Sequence, residues 1–132
     1  MIFRYSAEKG GSYSFIHAFS ALNPDGNNAD GASPYARLTR GDDDWLYSTA
    51  SAGGQFGNGV VYRVRRGGDF ELVHTFSAVN PDTGANVDGA TPDYGVLLEG
   101  CSTLIGMTDY GGAGSSAGAT GNGTLYRIEV GH

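Results

Sequence analysis

The sequence predicts an all-β protein built from β-propeller blades, with two four-stranded repeats per chain. Three observations support this fold class. Segments return in the same order, since residues 17–20 resemble residues 74–77 and residues 30–34 resemble residues 88–92, which is typical of repeat folds. Short runs alternate apolar and polar side chains, as strands do. Glycine makes up 23 of 132 residues, which favours many tight turns between short strands.

The offset between the two copies is about 57 residues, which fits one four-stranded blade. We therefore expect a single repeat domain at 1–132, with repeat one at about 13–69, repeat two at about 70–130 and residues 1–12 in a preceding blade. No window shows the 3.6-residue apolar period of a helix, so we expect almost no helix. The alternation predicts strands near residues 2–5, 13–19, 35–39, 45–49, 61–64, 70–76, 95–98, 104–108 and 125–128.

Grouping these strands into blades leaves the outer blades incomplete. The chain opens on two strands, makes one full blade of four and closes with three, which is too few for a ring of 4–8 blades. Unpaired sheet edges promote association. We therefore expect a cyclic homo-oligomer, in which three chains give six blades or four chains give eight. The alternative is that the chain is a fragment of a longer propeller.

A core is expected from the apolar side chains that recur on one face of these strands. Phe19 and Phe76 should lie in equivalent settings, since each ends a matching strand. The residues expected to be buried are Phe3, Phe15, Phe19, Tyr62, Val64, Leu72, Phe76, Tyr126 and Ile128.

Charge and composition narrow the range of partners. The chain has 14 acidic and 8 basic residues, a formal net charge of −6, which argues against nucleic acid and anionic membranes because both attract basic faces. No apolar run approaches about 20 residues, so no membrane span is expected. The start of the chain lacks the charged-then-apolar layout of a signal peptide. The single Cys101 rules out an internal disulfide.

Several motifs resemble the bacterial GloVer tandem repeat. The first copy carries them at residues 30–36, 45–49 with 53–54, and 59–64, and the second copy carries them at 88–92, 111–112 and 123–128. The second copy departs from the pattern at 104–107 and in the loop 112–121. The resemblance implies kelch-like β-propeller blades and a secreted or cell-surface location, and it brings no established activity.

Two loops carry oxygen ligands at a spacing that resembles calcium sites. Asn and Asp also close turns by bonding their own backbone, and the first loop fails the EF-hand pattern because Ala29 stands where a ligand is needed. The turn interpretation is therefore favoured, with calcium as the alternative and no other cofactor predicted. The candidate metal ligands are Asp25, Asn27, Asp30, Asp82, Asn86 and Asp88.

Trp45 is the only tryptophan, and it follows three acidic residues, Asp42, Asp43 and Asp44. An aromatic ring that stacks on a sugar, beside carboxylates that bind its hydroxyls, would make a carbohydrate site. Packing between blades is the favoured alternative, because Trp45 lies in a strand pattern with Leu104 as its counterpart.

His17 and His74 recur on an aromatic strand face, so a buried structural hydrogen bond is favoured over catalysis. No catalytic site is expected, since the chain has no nucleophile elbow and no P-loop. The sequence thus predicts a non-catalytic scaffold or interaction module that presents loops to a protein or glycan partner. A lectin-like saccharide binder that uses Trp45 is the alternative, and a glycan-active hydrolase is an outsider, since fold alone does not decide among them.

Overall fold

The computed structural model describes residues 1–113 and 121–131 of the chain. The predicted all-β fold is confirmed, because the described residues form three antiparallel sheets with one short 3-10 helix at Glu8–Gly10 and no α-helix. Most of the divergent loop at 112–121 lies outside the described residues.

The sheets contain two, four and three strands, which is the grouping that the sequence predicts. The first sheet pairs β1 (Ile2–Ser6) with β2 (Ser12–His17). The central sheet consists of β3 (Thr39–Arg40), β4 (Leu46–Ala50), β5 (Val60–Val64) and β6 (Phe70–Thr75). The third sheet consists of β7 (Val96–Glu99), β8 (Thr103–Thr108) and β9 (Thr124–Glu129).

β3 is much shorter than the strand predicted at 35–39. Pro34 has no backbone N–H to donate to a strand, and the N–H of Tyr35 turns back to the carbonyl of Ser33 at 3.0 Å. The two carbonyls that follow accept hydrogen bonds from Ser48 Oγ rather than from a neighbouring strand. The backbone therefore joins the sheet only at Thr39–Arg40, which overlaps the predicted region at Thr39 alone.

The central sheet buries both of its faces. Successive side chains of a strand point to opposite faces, and every residue of β5 except Arg63 is buried. On one face, Tyr62 and Val64 pack with Ile2 of the first sheet. On the other face, Val61 packs with residues of the third sheet, including Leu104. The three sheets are therefore stacked, with the central sheet between the other two.

Part of the predicted core is exposed. Phe3 and Phe15 are 55% and 65% exposed, because they lie on the outer face of the first sheet, which no other described strand covers. Leu72 is 41% exposed, because it lies on β6, the edge strand of the central sheet. The prediction that these three side chains are buried is wrong, since apolar alternation marks a face without saying whether another sheet covers it.

The rest of the predicted core is buried or half-buried. Tyr62, Val64 and Phe76 are at most 1% exposed, which confirms the prediction for them. Phe19 and Tyr126 are half-buried, as is Ile128. Phe19 contacts Tyr62 with ring centroids 5.4 Å apart, and Phe76 contacts Tyr126 at 5.3 Å, both edge to face. The two phenylalanines thus make the same kind of contact.

β1 and β2 pair in the same register as β5 and β6. In both pairs of strands a histidine lies opposite an aliphatic residue, a bulge follows, and the next pair joins a ring to an apolar side chain. The pairs are Ile2–His17 and Phe3–Phe15 in the first sheet, and Val61–His74 and Tyr62–Leu72 in the central sheet.

The register of β4 and β8 corrects the predicted counterpart of Trp45. Leu46 pairs with Val64, and Leu104 pairs with Ile128. Val64 and Ile128 occupy the same place in the recurring Tyr-Arg strand, so Leu46 is the residue that corresponds to Leu104. Trp45 lies just before β4.

Candidate functional site

A His–Asp–Ser cluster joins the end of β2 to the loop that follows it. His17 Nε2 lies 2.9 Å from Asp30 Oδ2. The Ser20 hydroxyl donates to Asp30 Oδ1 at 2.5 Å, and the Ser20 N–H donates to both carboxylate oxygens at 3.1 Å. One carboxylate thus joins the end of the strand to two points of the chain that follows it.

The same cluster occurs at the end of β6. His74 Nε2 lies 2.8 Å from Asp88 Oδ2, and the Ser77 hydroxyl donates to Asp88 Oδ1 at 2.5 Å. The Ser77 N–H donates to both oxygens of Asp88 at 3.2 Å. A histidine hydrogen bond, which the sequence favours at both positions, is therefore present in both.

This geometry does not activate a serine nucleophile. In a catalytic triad the histidine accepts the proton of the serine hydroxyl, whereas here Ser20 and Ser77 both donate to the carboxylate. Burial alone would raise the pKa of Asp30, but the hydrogen bonds from Ser20 and His17 lower its pKa below the ordinary value. The chemistry fits a structural clamp that prefers the charged carboxylate.

A side-chain amide closes each loop behind the carboxylate. Asn28 Nδ2 donates to the carbonyls of Ser20 and Gly31, and its Oδ1 accepts from the N–H groups of Gly31 and Gly54. Asn86 makes the equivalent four hydrogen bonds in the second loop. Asn28, and not Asn27, is therefore the counterpart of Asn86, which corrects the sequence alignment.

The candidate calcium ligands lie in Asx turns. The N–H groups of Asp25 and Asn27 donate to Asn23 Oδ1 at 3.0 and 2.9 Å, and the N–H of Asp82 donates to Asn80 Oδ1 at 2.8 Å. These are the hydrogen bonds that the turn interpretation predicts. The part of the chain that the structure describes holds no group of three or more His, Cys, Asp or Glu side chains positioned to bind a metal ion.

The remaining two candidate ligands, Asp30 and Asp88, direct their carboxylates at the histidine and serine of their own clusters. A cation at either loop would compete with these hydrogen bonds for the same oxygens. Calcium stays the alternative on the sequence pattern, and the contacts favour the clamp.

Trp45 lines a polar cleft of about 510 Å³ beside the central sheet. Trp45 is only 5% exposed, because the guanidinium groups of Arg63 and Arg65 lie 4.3 and 4.2 Å from the centroid of its ring. Glu71 holds Arg63 through a hydrogen bond of 2.9 Å to its Nε. The packing alternative for Trp45 agrees with this burial, and a sugar would have to displace a guanidinium to stack on the ring.

The three acidic residues before Trp45 do not act together. Asp43 also lines the cleft, where its carboxylate accepts from the backbone N–H of Trp45 at 3.3 Å and from the Tyr47 hydroxyl at 3.2 Å. Asp42 and Asp44 are exposed and do not line the cleft. Two of the four predicted ligand-binding residues are thus brought together.

Sequence reasoning missed a carboxylate pair, which is formed by Asp93 in the loop before β7 and Asp109 directly after β8. Burial raises the pKa of Asp93, and a hydrogen bond with Asp109 raises it further, while a hydrogen bond with Ser51 lowers it. Two carboxyl groups at one site share a proton more readily than they both ionise. At an offset of 58 residues the counterparts of Asp93 and Asp109 are Tyr35 and Ser51. The pair therefore has no equivalent in the first copy. This difference between the two copies is the feature of the sequence that could have indicated the pair.

No protein-family model matches the chain, and no curated protein and no solved structure matches it either. Within the ranges that the structure describes, no helix is long and apolar enough to cross a bilayer. The function is therefore inferred from residues and geometry alone.

Proposed function

We propose that the chain is a non-catalytic scaffold or interaction module of β-propeller blades, completed by other copies into a cyclic trimer or tetramer, that presents loops to a protein or glycan partner. The observation that carries the proposal is the contrast between the sheets. The central sheet buries both faces, whereas the outer faces of the first and third sheets expose large apolar side chains.

The exposed face of the first sheet is aromatic. Phe3, Tyr5, Tyr13 and Phe15 are each at least 54% exposed, and Tyr13 stacks on Phe3 and contacts Phe15 edge to face. Soluble proteins rarely expose contiguous apolar patches without an interaction partner. The matching face of the central sheet is covered by another sheet, so a neighbouring copy is the partner that this face fits.

The exposed face of the third sheet is aliphatic. Leu97, Met107 and Leu125 are 72%, 50% and 74% exposed. Val61, which occupies the place of Leu125 in the recurring strand, is completely buried in the central sheet. Head-to-tail association of copies would therefore set both apolar faces against further sheets, through a heterologous interface that forms a ring when the rotation per copy closes.

The His–Asp–Ser clusters support the presentation of loops. Each cluster, with its Asn amide, fixes a loop of Asp and Asn residues against a sheet by hydrogen bonds to both backbone and side chains. Rigid scaffolds commonly carry binding residues on such loops. The resemblance to the GloVer repeat adds a secreted or cell-surface location to the proposal.

The mass of the particle in solution tests the proposal. Light scattering at micromolar concentration should give three or four times the mass of one chain. The variant Phe15→Lys places a charge on the aromatic face and should lower the mass, whereas Tyr35→Lys, at a residue 82% exposed and outside that face, should not. A monodisperse monomer of the unmodified chain would contradict the ring. The alternative, that the chain is a fragment of a longer propeller, would then be favoured.

The saccharide alternative is favoured by the Trp45 cleft, which combines an aromatic ring with cationic and anionic groups. Because Trp45 is the only tryptophan, its fluorescence reports that cleft alone. Titration with a panel of neutral and acidic sugars should shift the emission if a sugar displaces Arg65. The variant Arg65→Ala should then increase the response, and an unchanged spectrum in both proteins would exclude the saccharide alternative.

The hydrolase alternative would use the Asp93–Asp109 pair, since two neighbouring carboxyl groups, one of them with a raised pKa, are the arrangement of many glycosidases. Activity on a glycoside panel that disappears in Asp109→Asn would support it. We expect no such activity, in agreement with a non-catalytic role.

A further inference from the structure

An unfilled cleft of about 510 Å³ runs along β9 at the open edge of the third sheet. His74, Phe76, Asp88, Tyr126 and Ile128 are among the residues that line it. In the strand order β7-β8-β9, no described strand pairs with β9 on its other side. The central sheet has a fourth strand, β6, at the corresponding edge. The position beside the third strand is therefore occupied in the central sheet and unoccupied by any described strand in the third sheet.

Phe70 is the side chain that fills this place in the central sheet. Its ring stacks on His17 at 3.8 Å with an interplanar angle of 10°. It also contacts Phe19 edge to face at 5.7 Å and stacks on Tyr62 at 5.5 Å. Four aromatic rings therefore pack against one another where β6 lies against the end of β2, and they belong to His17, Phe19, Tyr62 and Phe70.

Three of the four rings recur at β9. Phe76 contacts His74 edge to face at 4.8 Å and Tyr126 at 5.3 Å, which matches the contacts of Phe19 with His17 and with the ring on β5. The described residues supply no fourth ring here. The side chain of His74 is accordingly 36% exposed, whereas that of His17 is 19% exposed.

The strand β2 carries an aromatic ring in the register that this cleft requires. β2 pairs with β1 as β6 pairs with β5, and Tyr13 lies opposite Tyr5 just as Phe70 lies opposite Val64. β1 and β9 share the recurring pattern of an aromatic residue followed by arginine, at residues 3–4 and 126–127. A strand that fits β1 in this register therefore also fits β9.

We infer that the open edge of β9 accepts the β2 strand of a second copy of this chain, with Tyr13 of that copy stacked on His74. This is strand addition to a free sheet edge, in which the backbone supplies affinity and a side-chain pocket supplies specificity. The inference rests on the proposed oligomer and names its contact. β1 then acts as an internal substitute for β9, and the first sheet opens readily because two-stranded sheets are only marginally stable.

Disulfide trapping tests the register. In a Cys101→Ser background, one chain carries Ser14→Cys and another carries Arg127→Cys, because Ser14 lies opposite Arg4 in the first sheet and would lie opposite Arg127. The matched control is Ser12→Cys with Arg127→Cys, which is two residues out of register. Cβ atoms of bridged cysteines lie about 3.5–4.5 Å apart, so the first mixture should give at least about tenfold more cross-linked dimer than the control.

Each of the following results would contradict the inference. Equal cross-linking of the two mixtures would mean random collision. Preferential cross-linking of Arg4→Cys with Ile105→Cys would mean that β1 enters beside β8 and displaces β9. An oligomer that forms without the 14–127 cross-link would contradict this inference but agree with the proposed function. A monomer would contradict both.

A second pair of variants tests the ring itself. Tyr13→Ala should raise the dissociation constant of the oligomer about tenfold, because a buried aromatic contact is lost. Tyr13→Phe keeps the ring and should leave the dissociation constant within about twofold. Tyr13 is 54% exposed within one chain, so neither change should unfold it. Equal effects of the two variants would contradict the predicted stacking on His74.

Discussion

The His17 and His74 clusters have the same hydrogen bonds and different surroundings. In both clusters a carboxylate accepts from a histidine, a serine hydroxyl and a serine N–H. The ring of His17 is covered by Phe70, whereas His74 faces an unfilled cleft. The difference teaches that the polar clamp forms from its own loop and strand, whereas the aromatic packing around it depends on the next sheet.

The largest expected effect comes from the phenylalanine of each cluster. Phe76 is 1% exposed between the central and third sheets, so Phe76→Ala should lower the free energy of unfolding by about 3–5 kcal/mol. Phe19 is half-buried, and Phe19→Ala should cost about half as much. Urea denaturation at one fixed protein concentration measures both, because oligomerisation makes stability depend on concentration.

A loss below about 1 kcal/mol for Phe76→Ala would show that the two rings are not equivalent core residues. Tyr35→Ala serves as the control for a general effect of ring removal, because this ring is 82% exposed.

Removal of the clamp carboxylate should have the next largest effect, and a similar one at both sites. Asp30→Ala and Asp88→Ala should each cost about 1.5–3 kcal/mol, which is typical of hydrogen bonds to a charged group. If only Asp30→Ala destabilises the protein, the contribution of the clamp to stability depends on the Phe70 ring that covers His17, and not on the hydrogen bonds of the loop. Thermal unfolding with two matched serine variants, Ser20→Ala and Ser77→Ala, should give smaller losses of the same order as each other.

The contribution of Asp30 should depend on pH in a defined direction. Its pKa is lower in the folded chain than the ordinary value of 3.8, so the folded state binds fewer protons than the unfolded state in that range. The stabilisation is therefore complete above pH 3.8 and declines as the pH falls through the folded-state pKa. The difference in unfolding free energy between the natural chain and Asp30→Asn should shrink below about pH 4 and stay constant from pH 5 to 7. A difference that grows on acidification would contradict this assignment.

The arrangement of strands was predictable because it depends on local pattern. Alternation and glycine turns located eight of the nine strands to within a few residues, and only β3 was badly overestimated, since Ser48 takes its carbonyls. Burial was less predictable. Phe3 has the same pattern as Tyr62, yet their exposures are 55% and 1%, because burial depends on whether a further sheet lies against the strand.

The clamps were half predictable. Repetition of His17 and His74 indicated a structural hydrogen bond, but the partner was not evident because Asp30 lies 13 residues away, in a loop that resembles a calcium site. The arginines that cover Trp45 come from β5 and the turn after it. That cover depends on the pairing register of three strands, which no local motif specifies.

A smaller effect should separate Tyr62 from Tyr126, whose hydroxyl groups are both buried. The Tyr62 hydroxyl has a hydrogen-bond partner in Ser48, which lies opposite it in the sheet. Gly106 is opposite Tyr126 and offers no such group, so the buried Tyr126 hydroxyl has no partner among the described residues. Tyr62→Phe should therefore cost about 0.5–1.5 kcal/mol, whereas Tyr126→Phe should be neutral or stabilising. Equal losses for the two variants would indicate a partner for Tyr126.

The smallest expected effect comes from the pair that has no counterpart in the other half of the chain. The pKa of Asp93 is raised above 3.8, first by burial and then by Asp109, so the folded state binds more protons and stability falls as the pH rises through this window. Asp93→Asn should stabilise the protein at pH 7, by less than about 1 kcal/mol because the pair is partly solvated, and the gain should vanish below pH 3.8. Asp109→Asn should give a similar gain, and the double variant should gain less than the sum, because either change alone removes the same repulsion. A loss of stability at pH 7 in both single variants would show instead that the two carboxylates are held together by a bound cation or by an undetected donor.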